Sequence, residues 1–579
     1  MPAIVVAVAV LAAFAVGYIY YSRYLAARVY GLDPDFITPA HEFSDGVDFV
    51  PTNKHVVFGH HFTSVAGAAP IVGPAIAVFW GWGPALAWIV LGTIFAAGVH
   101  DFGALAVSVR HKAQSIGTLA RDVIGRRART LFLLIIFFLL TLVNAVFAVV
   151  IGNLLVANPG AVIPIFVEIP LAIAIGQYIY RKRTAALIPS IIGVIGLYLL
   201  IWVGQQVPVD ITPLAEGLGF AQPRDLWVII LFVYTLIASR IPVWMLLQPR
   251  DYINSHQLFI ALGVILLGII VGMNTIVAPV FNDVPDGSPG IFPFLFITVA
   301  CGAISGFHAL VSSGTTSKQL DKETDGRYVG YMGALGEGSL ALGSVLAVTA
   351  GVAATQIEWD ALYSDFATAS GGATGNFVNG VAVFANNLGI PLDLAVIFAA
   401  VVVISFAATT MDTGVRLQRY VVQEIGEILK WRLLARNLTL ASVIAVAIPL
   451  AMALLPGGGE SGYTFGVLWQ LFGTTNQLTA GLALAVVAVW VTKRRRNPLA
   501  VMIPLVFLLI MTSWALVANL INFIEQREWV LAPLDALIFV LAMWLIVEAG
   551  IALRRAFARR GDGEPDVPAA TADAPGHTE

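Results

Sequence analysis

Polar residues that interrupt apolar stretches of this chain point to three chemistries: carboxylate recognition, proton transfer and cation ligation. Each such residue is costly in hydrocarbon, so each needs a functional or packing reason. Ser239-Arg240-Ile241-Pro242 closes one apolar stretch and leads into Leu247-Gln-Pro-Arg-Asp-Tyr252. A guanidinium forks onto a carboxylate, and Pro242 suits the first turn of a new half-helix whose free N–H groups favour the same anion. The competing role for Arg240 is to snorkel to an interface about 9 Å away, at about 1.5 Å of rise per residue.

The run FGHHFTSVAGAAPIVGP, residues 58–74, holds His60, His61, Thr63, Ser64 and two prolines. A helix through Pro70 and Pro74 must kink or break, and hydrocarbon tolerates broken backbone only where protein or a water-filled cavity covers it. The break at Ala66-Gly67-Ala68 therefore marks a site. His60 and His61 titrate near neutrality and are proton-relay candidates; as helical neighbours about 100° apart, one faces a shared cavity. Their other role is that of interfacial histidines bonded to backbone.

Cys301-Gly-Ala-Ile-Ser-Gly-Phe-His308 continues through Ser312 and Ser313 to Gln319. Ser312 and Ser313, with carbonyls near Ala66 and Gly67, would ligate sodium; close helix packing alone would also explain such small residues. His308 joins the coupling candidates. Asp101, after His100, would pair with a histidine or carry a proton. Glu168 and Glu337 are either relay carboxylates or neutral packing residues. Asp412 would meet the cytoplasm or pair with Arg416, and Phe472-Gly-Thr-Thr-Asn-Gln477 would line a cavity or join helices.

The elements that position these residues are membrane spans. The 579-residue chain is 58% hydrophobic and 12% charged with mean hydropathy +0.86, against about 25% charged in soluble domains. Its apolar runs give fifteen spans: 3–22, 56–79, 84–107, 132–155, 161–180, 184–204, 226–246, 258–278, 292–314, 329–353, 392–410, 437–455, 463–490, 499–523 and 532–553. With the N-terminus outside, alternation puts 29 of the 32 Lys and Arg on inner segments. The outer loop 354–391 would hold an amphipathic or re-entrant helix. Cys301, the single cysteine, excludes an intrachain disulfide.

The expected breaks in spans 2 and 7 fall five spans apart in antiparallel spans. The fold class is therefore all-α and polytopic, with two inverted five-helix repeats, spans 2–6 and 7–11, as in LeuT-type folds, the last step being analogy. The division is 1–55 for the first helix and an inner loop, 56–204 and 226–410 for the repeats, 437–553 for accessory helices, and 560–579 for a disordered cytoplasmic tail.

FGHHFTSVAGAAPIVGP, ASRIPVWMLLQPRDY, CGAISGFHALVSSGTTSKQ, TTMDTGVRLQRY and LWQLFGTTNQL together resemble the carbon starvation protein A (CstA) family. The resemblance runs from about residue 50 to the last spans. It implies an inner-membrane secondary transporter of the APC superfamily, induced in nutrient-limited bacteria, for peptides or for pyruvate with protons.

The expectation is an importer of a small carboxylate or short peptide driven by a proton or sodium gradient, not an enzyme. Its partners are that substrate and the bilayer, not nucleic acid, and it needs no cofactor. Arg240, Ser239, Pro242, Thr63, Ser64, Gly67 and Ala68 would form the substrate site; His60, His61, Asp101, His308, Ala66, Ser312 and Ser313 would couple it to the ion. The chain contains no G-x-x-x-x-G-K-[ST] motif for ATP. The alternatives are an intramembrane metal-binding protein, which lacks H-E-x-x-H spacing, and a nutrient sensor.

Overall fold

The structure, a computed structural model, describes residues 1–45, 48–182, 186–242, 244–454 and 465–561. The tail expected from 560 lies, from 562 onward, outside the described residues. In chain order the helices of eight residues or more are α1 (Ala3–Tyr30), α2 (Lys54–Val65), α3 (Ala69–Trp80), α4 (Trp82–Arg110), α5 (Ile116–Val123), α6 (Arg126–Ala157), α7 (Pro159–Lys182), α8 (Leu187–Gln206), α9 (Pro223–Ala238) and α10 (Leu247–Gly272). There follow α11 (Ile291–Val299), α12 (Gly306–Gly314), α13 (Glu323–Gly351), α14 (Phe366–Asn387), α15 (Leu392–Ile428), α16 (Leu438–Leu454), α17 (Phe465–Lys493), α18 (Leu499–Glu525) and α19 (Leu531–Gly561). Among the described residues the only β-pairing is two isolated bridges.

Counting α11 and α12 as one stretch, Ile291–Lys318, twelve helical segments among the described residues are long and apolar enough to cross a bilayer, and the bent pair α2/α3 would make a thirteenth. The protein is therefore a multi-pass α-helical membrane protein. Each of the fifteen expected segments contains a helix, but α9 has 16 residues and α16 has 17. At 1.5 Å per residue, α9 covers only about 24 Å of a hydrocarbon core about 30 Å thick.

Span 7 differs from expectation. Its helix stops at Ala238, and α10 begins at Leu247 rather than at 258. The stop has a tertiary cause, because two guanidiniums of α15 take the carbonyls at and just beyond the helix end. Arg416 Nη2 donates to Ala238 O at 3.0 Å and Ile241 O at 2.7 Å, and Arg419 Nη1 donates to Ser239 O at 2.9 Å. Cations on the last carbonyls complement the helix dipole and satisfy its orphan acceptors.

One break falls where the sequence places it, at Ala66–Ala68, and the other lies in span 9 rather than span 7. Asn53 caps α2 by accepting from His55 N at 2.9 Å, and the helix runs to Val65. Ala66 leaves helical geometry with ψ 64°, and α3 restarts at Ala69 with Pro70 in its first turn, bent 50° from α2. A second interruption parts α11 from α12 at residues 300–305, where Ala300 has φ 41°. The two broken spans touch: a Cβ on Gly73 would stand 2.4 Å from Thr298 O and 2.6 Å from Val299 O, so only glycine permits this approach.

The long helices α6 and α15 lie against each other, tied by Asn144 Nδ2 donating to Gln418 Oε1 at 2.9 Å. Helix α9 packs on α6 and α16 on α15, while α10 lies against α2 and α17 against α12. The expected helix in the outer loop 354–391 exists as α14 and packs on α3. Just before it, Tyr363 Oη donates to Ala75 O at 2.9 Å, which covers the α3 end of the broken span.

Candidate functional site

A cavity of about 570 Å³ enters between α2, α6, α10, α12 and α15. His60 and Ser64 line it just below the break, with Asp251, Gly314, Thr413 and Arg416 around them. Its walls come from α2 up to its break, the first half of α6, the first turns of α10 and the later turns of α12 and α15. Alternation of the spans places all these ends on one side of the membrane.

His60 faces Asp251 across the cavity at 3.3 Å (Nδ1 to Oδ2), with Asp251 buried beneath it. His61 points the other way, as a 100° step requires, and meets Thr316 Oγ1 at 2.9 Å in a buried position. Thr63 and Ser64 donate back to Gly59 O at 2.9 Å and His60 O at 2.8 Å, so their hydroxyls are satisfied within α2. At the break, a Cβ on Gly67 would come within 2.5 Å of Thr410 Oγ1. Ala66 and Ala68 are buried beside it.

Arg240 does not reach the cavity. It sits in the turn after α9 with its side chain exposed, and Pro242 beside it is exposed as well. Ser239 is buried, and its carbonyl is already bound by Arg419. Arg416 and Lys318 line the cavity instead, and the Arg416 Nε is buried without a partner while its Nη2 holds the end of α9. Ser313 is likewise turned away from Gly67: its hydroxyl donates to Ala309 O at 2.6 Å and accepts from Ile116 N at 2.9 Å. The Ser312 hydroxyl is buried and unpartnered. The hydroxyl against Gly67 is instead that of Thr410.

Two buried ionic networks flank the cavity. In the first, Arg250 Nη1 donates to Asp412 Oδ2 at 2.5 Å and to Tyr234 Oη at 2.9 Å, with Glu168 at 3.8 Å from Arg250 Nε. Tyr234 in turn donates to Asp412 at 2.7 Å, and Ser405 donates to Glu168 at 3.2 Å. Arg250 and its partner carboxylates were missed as a unit because QPRDY reads as a loop; the structure places it in the first turns of α10. In the second, Asp101 bonds His100 Nδ1 at 2.7 Å and His308 Nδ1 at 2.8 Å, and His308 Nε2 faces Glu337 at 3.2 Å. Asn476 of α17 closes this side by accepting from Phe307 N at 3.1 Å and donating to Cys301 Sγ at 3.2 Å. Of the expected coupling residues, His60 alone faces the cavity; Asp101 and His308 meet in a sealed cluster, and His61 bonds to Thr316.

A family model described as Carbon starvation protein CstA matches residues 2–365 and 359–515. Among curated relatives, the Peptide transporter CstA of Campylobacter jejuni is 33% identical over 91% of this chain and 81% of its own length. The Pyruvate/proton symporter BtsT of Escherichia coli is 31% identical over 90% and 82%. The Peptide transporter CstA of Bacillus subtilis is 33% identical over 89% and 90%. Among solved structures, a manganese transporter of Eremococcus coleocola aligns at TM-score 0.49 and 13% identity over 89% of this chain and 99% of that one. MhsT in complex with L-phenylalanine aligns at TM-score 0.47 and 13% identity over 86% and 99%.

Proposed function

The chain belongs to the carbon starvation protein CstA family, and on that premise we propose that it is a proton-coupled importer of short peptides in the bacterial inner membrane. The observation that carries this reading is the cavity ending at the break between α2 and α3, with His60 paired to Asp251 in its wall. A transported zwitterion needs groups of both signs. Arg416 and Lys318 stand in the wall as cations, with Asp251, Glu424 and Glu427 as anions. The N-terminus of α3 at the break adds backbone donors for a carboxylate.

The N-terminus lies outside and the C-terminus in the cytoplasm, as the distribution of basic residues supports. The cavity then opens inward, and Tyr363 with α14 covers the outer end. Import proceeds by closing this cavity and opening the other side, with substrate and proton each favouring the occluded state. The repeats are α2/α3, α4, α6, α9, α10 and α11/α12, α13, α15, α16, α17, with α7 and α8 inserted in the first. This division replaces spans 2–6 and 7–11 because it makes the two broken spans equivalent. It also pairs α10 on α2 with α17 on α12.

A pyruvate-like carboxylate is the second reading, favoured by the unpartnered Nε of Arg416 and by the relative named as a pyruvate/proton symporter. Uptake of labelled dialanine and labelled pyruvate into proteoliposomes, with pH and sodium gradients imposed separately, tests both. Dialanine accumulation on an acid-outside gradient supports the proposal; accumulation of neither compound on any gradient refutes it.

A further inference from the structure

The sealed cluster on the far side of α12 contains donors that transport of a peptide does not use. We infer that Cys301, His308 and Glu337 form a site for one resident zinc-like divalent ion, held where the α11/α12 break meets α13. The Cys301 sulfur, a ring nitrogen of His308 and a carboxylate oxygen of Glu337 all lie within 4.8 Å of one another. All three side chains are buried, and none lines the cavity.

The second observation is a pair of orphaned atoms aimed at each other. His308 Nε2 and Glu337 Oε1 are 3.2 Å apart, and neither meets hydrogen-bond geometry with any partner. Asp101 Oδ2 accepts from His308 Nδ1, which leaves Nε2 to present a lone pair toward a carboxylate. The ring and the carboxylate need a positive charge between them, which either a proton on Nε2 or a metal ion supplies. Two nitrogen or oxygen ligands, each about 2.0–2.2 Å from a tetrahedral ion, stand roughly 3.3–3.6 Å apart, close to the spacing seen.

A third donor, the Cys301 sulfur in the same 4.8 Å group, is what a metal uses and a proton shared by ring and carboxylate does not. Thiolate, imidazole and carboxylate together suit zinc among the common divalent ions. Asn476 donates to the Cys301 sulfur at 3.2 Å and the Cys301 thiol donates to Ser305 Oγ at 3.1 Å, so binding the ion would release that thiol proton. Asp101, itself fixed by His100, orients the imidazole as a carboxylate does behind a zinc-bound histidine, and is a positioning residue. The ion would tie the start of α12 to α13.

The test uses the purified full-length protein, stripped with a chelator, reloaded with zinc and counted by elemental analysis, with cobalt replacing zinc for absorption spectra. Expected is about one zinc per chain, with affinity reduced at least about tenfold in Glu337→Gln and about 10–100-fold in Asp101→Asn. Cobalt should give a thiolate charge-transfer band that Cys301→Ser removes. Cys301 is the only cysteine in the chain, so the band has no other source. Wild-type protein that takes up less than about a tenth of an ion per chain, or binds cobalt without a thiolate band, overturns the inference. The wild-type spectrum decides even if a variant fails to fold. These readings need no substrate, so they stand or fall separately from peptide transport.

Discussion

Arg250 Nη1 lies 2.5 Å from Asp412 Oδ2, with both side chains about 1% exposed, joining α10 to α15 inside the membrane-spanning bundle. Glu168 of α7 and Tyr234 of α9 complete the ring, so one guanidinium holds four helices. Removing it strands two carboxylates away from water. Arg250→Met should therefore cost about 3–5 kcal/mol, the penalty typical of breaking a buried pair. Adding Asp412→Leu should cost less than the sum of the single changes, since the partners are coupled. Thermal unfolding in detergent reads this out; an unchanged melting temperature in Arg250→Met would show that the ring contributes nothing.

At the α2/α3 break, Gly67→Ala would push a methyl to 2.5 Å from Thr410 Oγ1. Overpacking of this kind costs about 1–3 kcal/mol and should slow transport. Because the clash is with a hydroxyl at the end of a side chain, Thr410→Ala should restore much of the rate. Gly73→Ala meets backbone carbonyls of α11 instead, so no single side-chain change should rescue it. Rescue of both, or of neither, would mean the break is packed differently.

Arg416 and Arg240 should behave oppositely. Arg416 stands in the cavity wall with an unused buried Nε, whereas Arg240 is exposed beyond the end of α9. Losing a charge-assisted bond of about 1.5–3 kcal/mol predicts a KM for dialanine raised about 10–100-fold in Arg416→Ala. Arg240→Ala should stay within about twofold of wild type, as surface substitutions do. Concentration-dependent uptake separates the two, and the reverse ranking would return the carboxylate site to Arg240.

Apolar run length exposed the helical segments, because fifteen hydrophobic stretches cannot pair with water, and Pro70 and Pro74 exposed the first break. The second break was hidden. Pro242 points to a break in span 7, but α9 ends before it, where Arg416 and Arg419 take its carbonyls from another helix. The actual interruption at Ala300–Ser305 contains no proline and is held open by Asn476, which is distant in sequence. Arg250 was hidden for a related reason. A charged pentapeptide reads as a loop until Asp412 and Glu168, on other helices, neutralise it. His60 and His61 could be told apart only by direction, since one faces Asp251 and the other Thr316.

On the proposed function, the cavity-facing His60–Asp251 pair carries the proton that drives uptake. The most direct measurement compares wild type with His60→Gln in proteoliposomes, following labelled dialanine first as counterflow and then as accumulation under an acid-outside gradient. His60→Gln should exchange dialanine at close to the wild-type rate yet fail to concentrate it. Accumulation by His60→Gln equal to wild type, or wild-type accumulation that follows a sodium gradient alone, would contradict the account.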